Sequence, residues 1–170
     1  MSFRLRRATG NDIDFLADML VEATYPLRDP KPTKAEALGD PRVAAFLEAW
    51  GRPGDLGVVA QNEDGRLIGA AWCRRFAATA PGWGFVAEDV PELAIAVGPD
   101  VRGHGVGSAL LAELIRVTTE AGVRALSLEV DIPNTAAVQL YAKAGFGMVS
   151  RSPNAAVMLL DLSAEPRGSS

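Results

Sequence analysis

The feature that most constrains the fold is a glycine-rich turn between an apolar run and a helical pattern. Residues 90–97 (VPELAIAV) predict a strand, residues 102–107 (RGHGVG) a turn, and residues 105–121 an amphipathic helix. Glycine lets the backbone approach an anion closely, and the free N–H groups and dipole at a helix start favour negative charge. Arg102 adds a fixed positive charge and Ser108 a hydroxyl. The segment therefore predicts a pyrophosphate-binding turn.

An antiparallel hairpin precedes this turn. Residues 56–61 and 66–76 are β-rich, and the segment between them ends in Asp-Gly, which suits a hairpin. A hairpin there argues against a doubly wound sheet, and a Walker-type loop would need lysine where Ser108 follows Gly107. We therefore expect an α+β fold rather than a nucleotide-binding parallel sheet.

The other elements follow from local signals. Thr9 with Asp12 and Thr33 with Glu36 are typical of capping boxes that open helices. The first helix should end near residues 25–26, and the second should run to residue 50 with a break at 39–41. The remaining expected elements are a strand at 3–8, a loop at 77–89, a strand at 125–130, a helix capped by Asn134 and closed by Gly145, and strands at 147–152 and 155–160.

Composition excludes several functions. The 170 residues fit one domain, which we place at 1–163 with a disordered tail at 164–170. The net charge of −4 is carried without a basic cluster, so we expect neither a nucleic-acid nor a membrane partner. The N-terminus lacks a continuous apolar stretch, which favours a cytoplasmic protein. With one cysteine and one histidine, the chain can form no internal disulfide, and we expect no metal.

Two motifs carry a resemblance to a known family. Residues 92–111 resemble the signature of the GNAT superfamily of N-acetyltransferases, whose pattern Arg/Gln-x-x-Gly-x-Gly/Ala is filled by Arg102, Gly105 and Gly107. Residues 134–146 resemble a second family motif, with matches at Asn134, Ala137, Leu140, Tyr141, Lys143, Gly145 and Phe146. The resemblance is clear over about residues 91–148 and weak over 24–55 and 77–89, where the family varies its acceptor.

The resemblance implies a fold and a cofactor. It implies the GNAT acyl-CoA N-acyltransferase fold, a mostly antiparallel twisted sheet of six to seven strands, splayed in the middle and flanked by about four helices. It also implies acetyl-CoA (coenzyme A) as co-substrate, with the pantetheine arm paired to the end of the splayed strand. The implied cofactor-binding residues are Ile95, Ala96, Val97, Arg102, Gly103, His104, Gly105, Val106, Gly107, Ser108, Asn134, Ala137 and Lys143.

Acetyl transfer to an amine needs a base, an oxyanion donor and an acid for the leaving thiolate. Tyr141 matches the tyrosine that family members often use as that acid, and a backbone N–H near Val97 can serve the oxyanion. For the base we favour Glu92, early in the strand that ends at the cofactor. Glu88, Asp89 and a relay through water are the alternatives.

The sequence does not identify the acceptor substrate. Aromatic residues that could line its pocket are Tyr25, Trp50, Trp83 and Phe85, and an acidic set favours a cationic amine: Asp29, Glu36, Asp40, Glu48, Asp55, Glu88 and Asp89. A small molecule or a peptide would both fit, and a homodimer through the C-terminal strands is an option. The main alternative to an enzyme is a catalytically silent acyl-CoA-binding module of the same fold.

Overall fold

A seven-stranded sheet organises the chain in the computed structural model, which describes residues 1–163. The expected disordered tail lies outside these residues. The strand order is β1-β2-β3-β4-β5-β7-β6, and all neighbours are antiparallel except β4 and β5. The strands are β1 (Phe3–Arg7), β2 (Leu56–Asn62), β3 (Leu67–Arg74), β4 (Glu92–Val97), β5 (Ala125–Asp131), β6 (Gly147–Arg151) and β7 (Ala155–Asp161).

Five α-helices connect the strands in the described part of the chain. They are α1 (Ile13–Thr24), α2 (Lys34–Leu38), α3 (Pro41–Ala44), α4 (Val106–Glu120) and α5 (Thr135–Lys143). Both predicted capping boxes are present, at Thr9 with Asp12 and at Thr33 with Glu36, and the Asn134 side chain caps α5. The α+β class and the mostly antiparallel sheet are confirmed, with one helix more than expected.

The helical stretch predicted to reach Trp50 is shorter in the structure. Helix α3 ends at Ala44, and turns follow. The Arg74 guanidinium accounts for this, because it donates to the carbonyl oxygens of Ala45 at 2.9 Å and Glu48 at 2.7 Å. Ala49 then takes a φ of 51°, outside the helical region.

Two apolar cores cover the two faces of the sheet. Helix α4 packs on one face, where Leu110, Leu114 and Val117 meet side chains of β2, β3 and β5. Helix α1 and the segment 37–47 pack on the other face against Trp72. Both clusters consist of apolar side chains removed from water, which is the main source of folding free energy.

The sheet splits between β4 and β5. These strands share a single register pair, Glu92 with Ser127, joined by a 3.0 Å hydrogen bond from the Ser127 N–H to the Pro91 carbonyl. Beyond Glu92, β4 has no strand partner on its β5 side among residues 1–163. The splay that the resemblance implied is therefore present, and it opens a gap in the middle of the sheet.

The C-terminal edge of the sheet faces solvent. In the described part of the chain, strand β6 pairs with β7 alone, and Met148 and Val149 on it are about half exposed. The homodimer expected through these strands stays a prediction. Across residues 1–163, no helix combines the length and apolarity that a membrane span requires.

Candidate active site

The split in the sheet opens into a cleft with a volume of about 720 Å³. Its walls are β4, the end of β5, the first turns of α4 and α5, the end of α1 and residues 25–27. Eleven of the thirteen residues expected to bind the cofactor line it, namely Ile95, Ala96, Val97, Arg102, Gly103, Gly105, Val106, Gly107, Ser108, Asn134 and Ala137. Glu92 and Tyr141 line it as well.

The glycine turn is shaped for close approach to an anion. Gly103 and Gly105 have φ values of 81° and 80°, a conformation that residues with a Cβ rarely adopt. No atom lies within 4 Å of a Cβ placed on either glycine, so the space above the turn is open. Gly105 caps α4 without a side-chain hydrogen bond, which leaves the first N–H groups of the helix available. Arg102 stands beside them, half exposed and 3.2 Å from Glu22.

The open edge of β4 presents backbone groups to the cleft. Successive residues of a strand direct their N–H and C=O groups to opposite edges. Gly98 donates to Ile68 on the β3 side, and the Pro91 carbonyl accepts from Ser127 on the β5 side. By this alternation, Ile95 and Val97 direct their N–H and C=O groups into the split. Ala96 lines the cleft, but its backbone groups face β3.

Glu92 is buried beneath a loop rather than placed near solvent. Its side chain is 2% exposed, and Oε1 accepts a 2.7 Å hydrogen bond from the Gly84 N–H. Oε2 has no hydrogen-bond partner among the described residues. A Cβ on Gly82 would lie 2.2 Å from Oε2, so any larger residue there requires the carboxylate or the loop to shift.

The environment of Glu92 suits proton transfer near neutral pH. Burial raises its pKa to about 7, and the nearby Glu129 carboxylate acts in the same direction. The Gly84 hydrogen bond and Arg42 oppose the rise. The Gly82 N–H also lowers this pKa, although it makes no hydrogen bond of ordinary geometry with the carboxylate. A general base with a pKa near the working pH is an efficient one.

Tyr141 lies across the cleft on α5. Its ring is buried and packs edge-on against Phe146, with centroids 5.8 Å apart. Burial raises the pKa of its hydroxyl above the ordinary value, so the phenol stays protonated at neutral pH. The hydroxyl makes no hydrogen bond within residues 1–163. It can therefore donate to a ligand in the cleft.

Two expected cofactor residues and two alternative bases stand outside the cleft wall. His104 is exposed in the glycine turn, and Lys143 is exposed at the end of α5. Glu88 and Asp89 are exposed on the loop before β4, and neither lines the cleft. Asp89 forms an ion pair with Arg124, whose hydrogen bonds hold its pKa below the usual range.

Two of the four aromatic residues that were expected to line an acceptor pocket lie in the cleft wall. Trp83 and Tyr25 line the cleft, whereas Phe85 and Trp50 do not. Trp83 is stacked on Phe46, with ring centroids 6.0 Å apart, and the Arg42 guanidinium lies 4.6 Å from its centre. Of the acidic set, Asp40 alone lines the cleft.

The sequence reading missed two carboxylates at the acceptor end. Glu129 and Asp131 extend from β5 and line the cleft. A signal was present, because polar residues alternate with apolar ones from Ser127 to Asp131, which marks one polar strand face. Which face borders the cleft depends on the split beside β4, and no local pattern shows that split.

Comparison with known proteins gives the family. The profile described as the acetyltransferase (GNAT) family matches residues 19–146. The chain is 32% identical over 133 residues to a mycothiol acetyltransferase of Propionibacterium freudenreichii, which covers 78% of this chain and 40% of the relative. A mycothiol acetyltransferase of Clavibacter sepedonicus is 36% identical over 63% of this chain and 31% of its own length. The chain thus spans less than half of these relatives.

Solved structures share the fold. A phosphinothricin acetyltransferase from Sinorhizobium meliloti, in complex with AcCoA, superposes with a TM-score of 0.68 and 23% identity over 99% of this chain and 95% of its own. The ribosomal-protein-S18-alanine N-acetyltransferase from Escherichia coli gives a TM-score of 0.67 and 22% identity over 99% of both chains. With a profile match over more than half of its residues, the chain belongs to the acetyltransferase (GNAT) family, a family of acyltransferase enzymes.

Proposed function

We propose that this protein transfers an acetyl group from acetyl-CoA to a primary amine by direct attack in a ternary complex. The observation that carries the proposal is one continuous surface. The open edge of β4 begins at the buried Glu92 carboxylate and ends at the glycine turn before α4. An anion site, a strand edge and a base candidate therefore lie in line along one cleft.

The chain's own groups fit coenzyme A along this line. The glycine turn, the start of α4 and Arg102 would hold the pyrophosphate. The amides of the pantetheine arm would add to the open edge of β4 through the backbone of Ile95 and Val97, as an extended peptide adds to a sheet edge. Asn134, which caps α5, borders the same part of the cleft. His104 and Lys143 would act from outside it.

Glu92 would act as the base. An alkylammonium group has a pKa of about 10.4, so most acceptor molecules are protonated at neutral pH. A carboxylate whose pKa burial raises to about 7 can take that proton and release it to solvent afterwards. The free Oε2 atom is the available acceptor, since Oε1 already accepts from Gly84.

The remaining steps use β4 and Tyr141. The amine nitrogen bonds to the thioester carbon, and an N–H on the open edge of β4 stabilises the negative oxygen. The C–S bond then breaks as the nitrogen, which carries a positive charge after the attack, loses its second proton to solvent. Tyr141 gives its proton to the sulfur and regains one from solvent, and the products are an amide and free coenzyme A. Cys73 is not placed to act as a nucleophile, since it is buried and burial raises its pKa to about 12.

The test is thiol release from acetyl-CoA across a panel of amines, after a thermal-shift titration with coenzyme A. We expect amine-dependent release in the wild-type protein. Tyr141→Phe should lower kcat about 100-fold without weakening coenzyme A binding, because acid catalysis contributes roughly 10² or more. Arg102→Ala should instead weaken coenzyme A binding. Stabilisation by coenzyme A with no release on any amine would favour the silent binding module, and no stabilisation would contradict the cofactor assignment.

A further inference from the structure

A row of carboxylates runs along one face of the split sheet. Glu92 is in register with Ser127, so their side chains share a face. Since side chains alternate along a strand, Glu129 and Asp131 continue the row on that face. Glu92, Glu129 and Asp131 all line the cleft. This is the face covered by α1 and residues 37–47, opposite α4.

Apart from the hydrogen bond that Gly84 donates to Oε1 of Glu92, the carboxylates of this row lack partners among residues 1–163. Oε2 of the buried Glu92 has no hydrogen bond, and Glu129 and Asp131 form no side-chain hydrogen bond or ion pair with residues 1–163. They also oppose one another's ionisation: Glu129 raises the pKa of Glu92, and the pKa of Glu129 is raised by burial and by Asp131. Without a bound cation, the cleft therefore holds negative charges that repel one another.

Few positive charges offset the row. Arg102 is the one basic residue among the described residues that line the cleft, and it stands at the glycine turn beside Glu22. Arg42 lies near the row and favours ionisation of Glu92 and Glu129, but its guanidinium is placed over the Trp83 ring. Asp40, whose carboxylate accepts from the Arg42 backbone N–H, adds a further negative charge to the same wall.

We propose that the acceptor is a small aliphatic amine with a second positive charge, whose reacting nitrogen lies at Glu92 while its second ammonium lies at Glu129 and Asp131. This inference rests on the proposed function and narrows its substrate class. Glu129 lies two residues along β5 from Ser127, the register partner of Glu92. The two positions are therefore offset by roughly 7 Å along the strand and about 4.8 Å between strands, a separation that a short diamine can span. The reacting nitrogen would then meet the Oε2 atom of Glu92, and the second ammonium would meet two carboxylates, neither of which has a partner among residues 1–163.

The same charges disfavour other acceptors. An α-amino acid would place its carboxylate beside Glu92 and Glu129, where like charges repel. A metal ion is a poor occupant, since residues 1–163 contain no group of three or more His, Cys, Asp or Glu side chains arranged to hold one. The aromatic wall of Trp83 and Phe46 suits the methylene chain of a diamine, because it offers apolar surface between the charged positions.

The first test compares amine acceptors that differ in charge, with putrescine and butylamine as a pair of equal chain length. Acetyl transfer to putrescine and spermidine would be measured beside butylamine and alanine, in wild type, Glu129→Gln, Asp131→Asn and the control Glu63→Gln. Glu63 is an exposed carboxylate in the β2–β3 turn, away from the cleft, so its variant matches the change in net charge. We expect kcat/KM for putrescine to exceed that for butylamine at least tenfold, and Glu129→Gln to cut this ratio about tenfold through KM. Glu63→Gln should leave the ratio within twofold.

The outcomes separate this inference from the proposed function. Equal kcat/KM for putrescine and butylamine, or a ratio unchanged by Glu129→Gln and Asp131→Asn, would overturn the inference while leaving amine acetylation in place. Calorimetric titration of spermidine into the coenzyme A complex provides a readout independent of turnover. Binding that weakens in Glu129→Gln and not in Glu63→Gln supports the second cation site, and no binding to the wild-type complex overturns it, whatever the transfer assay shows.

Discussion

The Gly84 N–H donates a 2.7 Å hydrogen bond to Oε1 of Glu92 from a loop that lies directly over the carboxylate. The bond does two things at once. It fixes one oxygen of a buried acid and leaves the other without a partner, and it stabilises the ionised form against the effect of burial. The loop before β4 is therefore part of the site, although its two exposed carboxylates, Glu88 and Asp89, do not line the cleft.

We expect Glu92→Gln to lower kcat/KM about 100-fold with a favourable amine, because a positioned base contributes roughly 10² to 10⁴ in rate. In the wild-type enzyme, kcat/KM should rise with pH through a pKa of about 7 and then level off, because the ionised carboxylate takes its proton from the ammonium form of the acceptor. The variant should lose the step near 7 and show only a rise as the free amine forms. A pH–rate series measures both.

The matched control is Glu88→Gln, since Glu88 is an exposed carboxylate four residues before Glu92 and does not line the cleft. Its kcat/KM should stay within twofold of wild type. A step near pH 7 that survives in Glu92→Gln would instead point to a base relayed through water.

Glu92 should also make stability depend on pH. A carboxyl whose pKa is raised from 4.5 to about 7 on folding binds more protons in the folded state. The free energy of unfolding therefore falls by a total on the order of 3 kcal/mol as pH rises from about 4.5 to about 7. Above that window, the contribution of Glu92 is constant. Glu92→Gln removes that dependence. Urea unfolding at pH 5 and pH 8 should show the variant gaining stability relative to wild type at the higher pH, and a constant difference would contradict the raised pKa.

Gly84→Ala tests the loop itself. A Cβ there would lie 2.6 Å from the Leu128 carbonyl carbon and 2.8 Å from the Glu129 nitrogen, both backbone atoms, so the loop must move. We expect a loss of roughly 1 to 3 kcal/mol in the free energy of unfolding. Because the displaced N–H no longer favours the ionised carboxylate, the step in the pH–rate series should also move to higher pH.

Gly147→Ala is the control for this substitution, since a Cβ on Gly147 meets nothing within 4 Å. It should unfold within about 0.5 kcal/mol of wild type. A Gly84→Ala protein that is equally stable and keeps the wild-type pH profile would show that the Gly84 contact does not position Glu92.

Local signals predicted most of the fold. Each of these signals depends on neighbours only a few residues away in the chain. The structure contains all of them: the caps at Thr9, Thr33 and Asn134, the Asp-Gly hairpin between β2 and β3, and the turn that joins β4 to α4. The glycine turn before α4 was predicted from the sequence in the same way, and Gly103 and Gly105 take the positive φ values that suit a close approach to an anion. That the turn binds an anion stays a prediction.

The surroundings of the residues expected at the acceptor could not be predicted from local sequence in the same way. Glu92 was favoured as the base from its place early in β4, but no local signal shows that residues 82–84 cover it, because that loop is held against Leu128 on another strand. Trp50 was expected in the acceptor wall, but it packs near Arg74, with the guanidinium 5.7 Å from its ring. Asp55 was counted with the acidic set and is buried against the same arginine. Each of these positions is set by residues distant in the chain.

The Arg74–Asp55 pair gives the last prediction. Two hydrogen bonds of 3.0 and 2.7 Å join their side chains, which are nearly fully buried, and Arg74 also holds the carbonyls of Ala45 and Glu48 that flank Phe46 in the cleft wall. Asp55→Asn leaves the guanidinium charge buried without its counter-charge, which typically costs about 3 to 5 kcal/mol. We expect a loss of that size in urea unfolding.

An exposed ion pair of the same length provides the comparison. Arg66 and Asp100 are 2.7 Å apart with both side chains more than half exposed, so Asp100→Asn should change stability by less than about 1 kcal/mol. If the two substitutions had equal effects, burial of the Arg74 charge would not be what makes Asp55 necessary. A larger loss for Asp55→Asn, together with weaker binding of the amine acceptor, would show that this pair supports the cleft wall around Phe46, against which the proposed acceptor would lie.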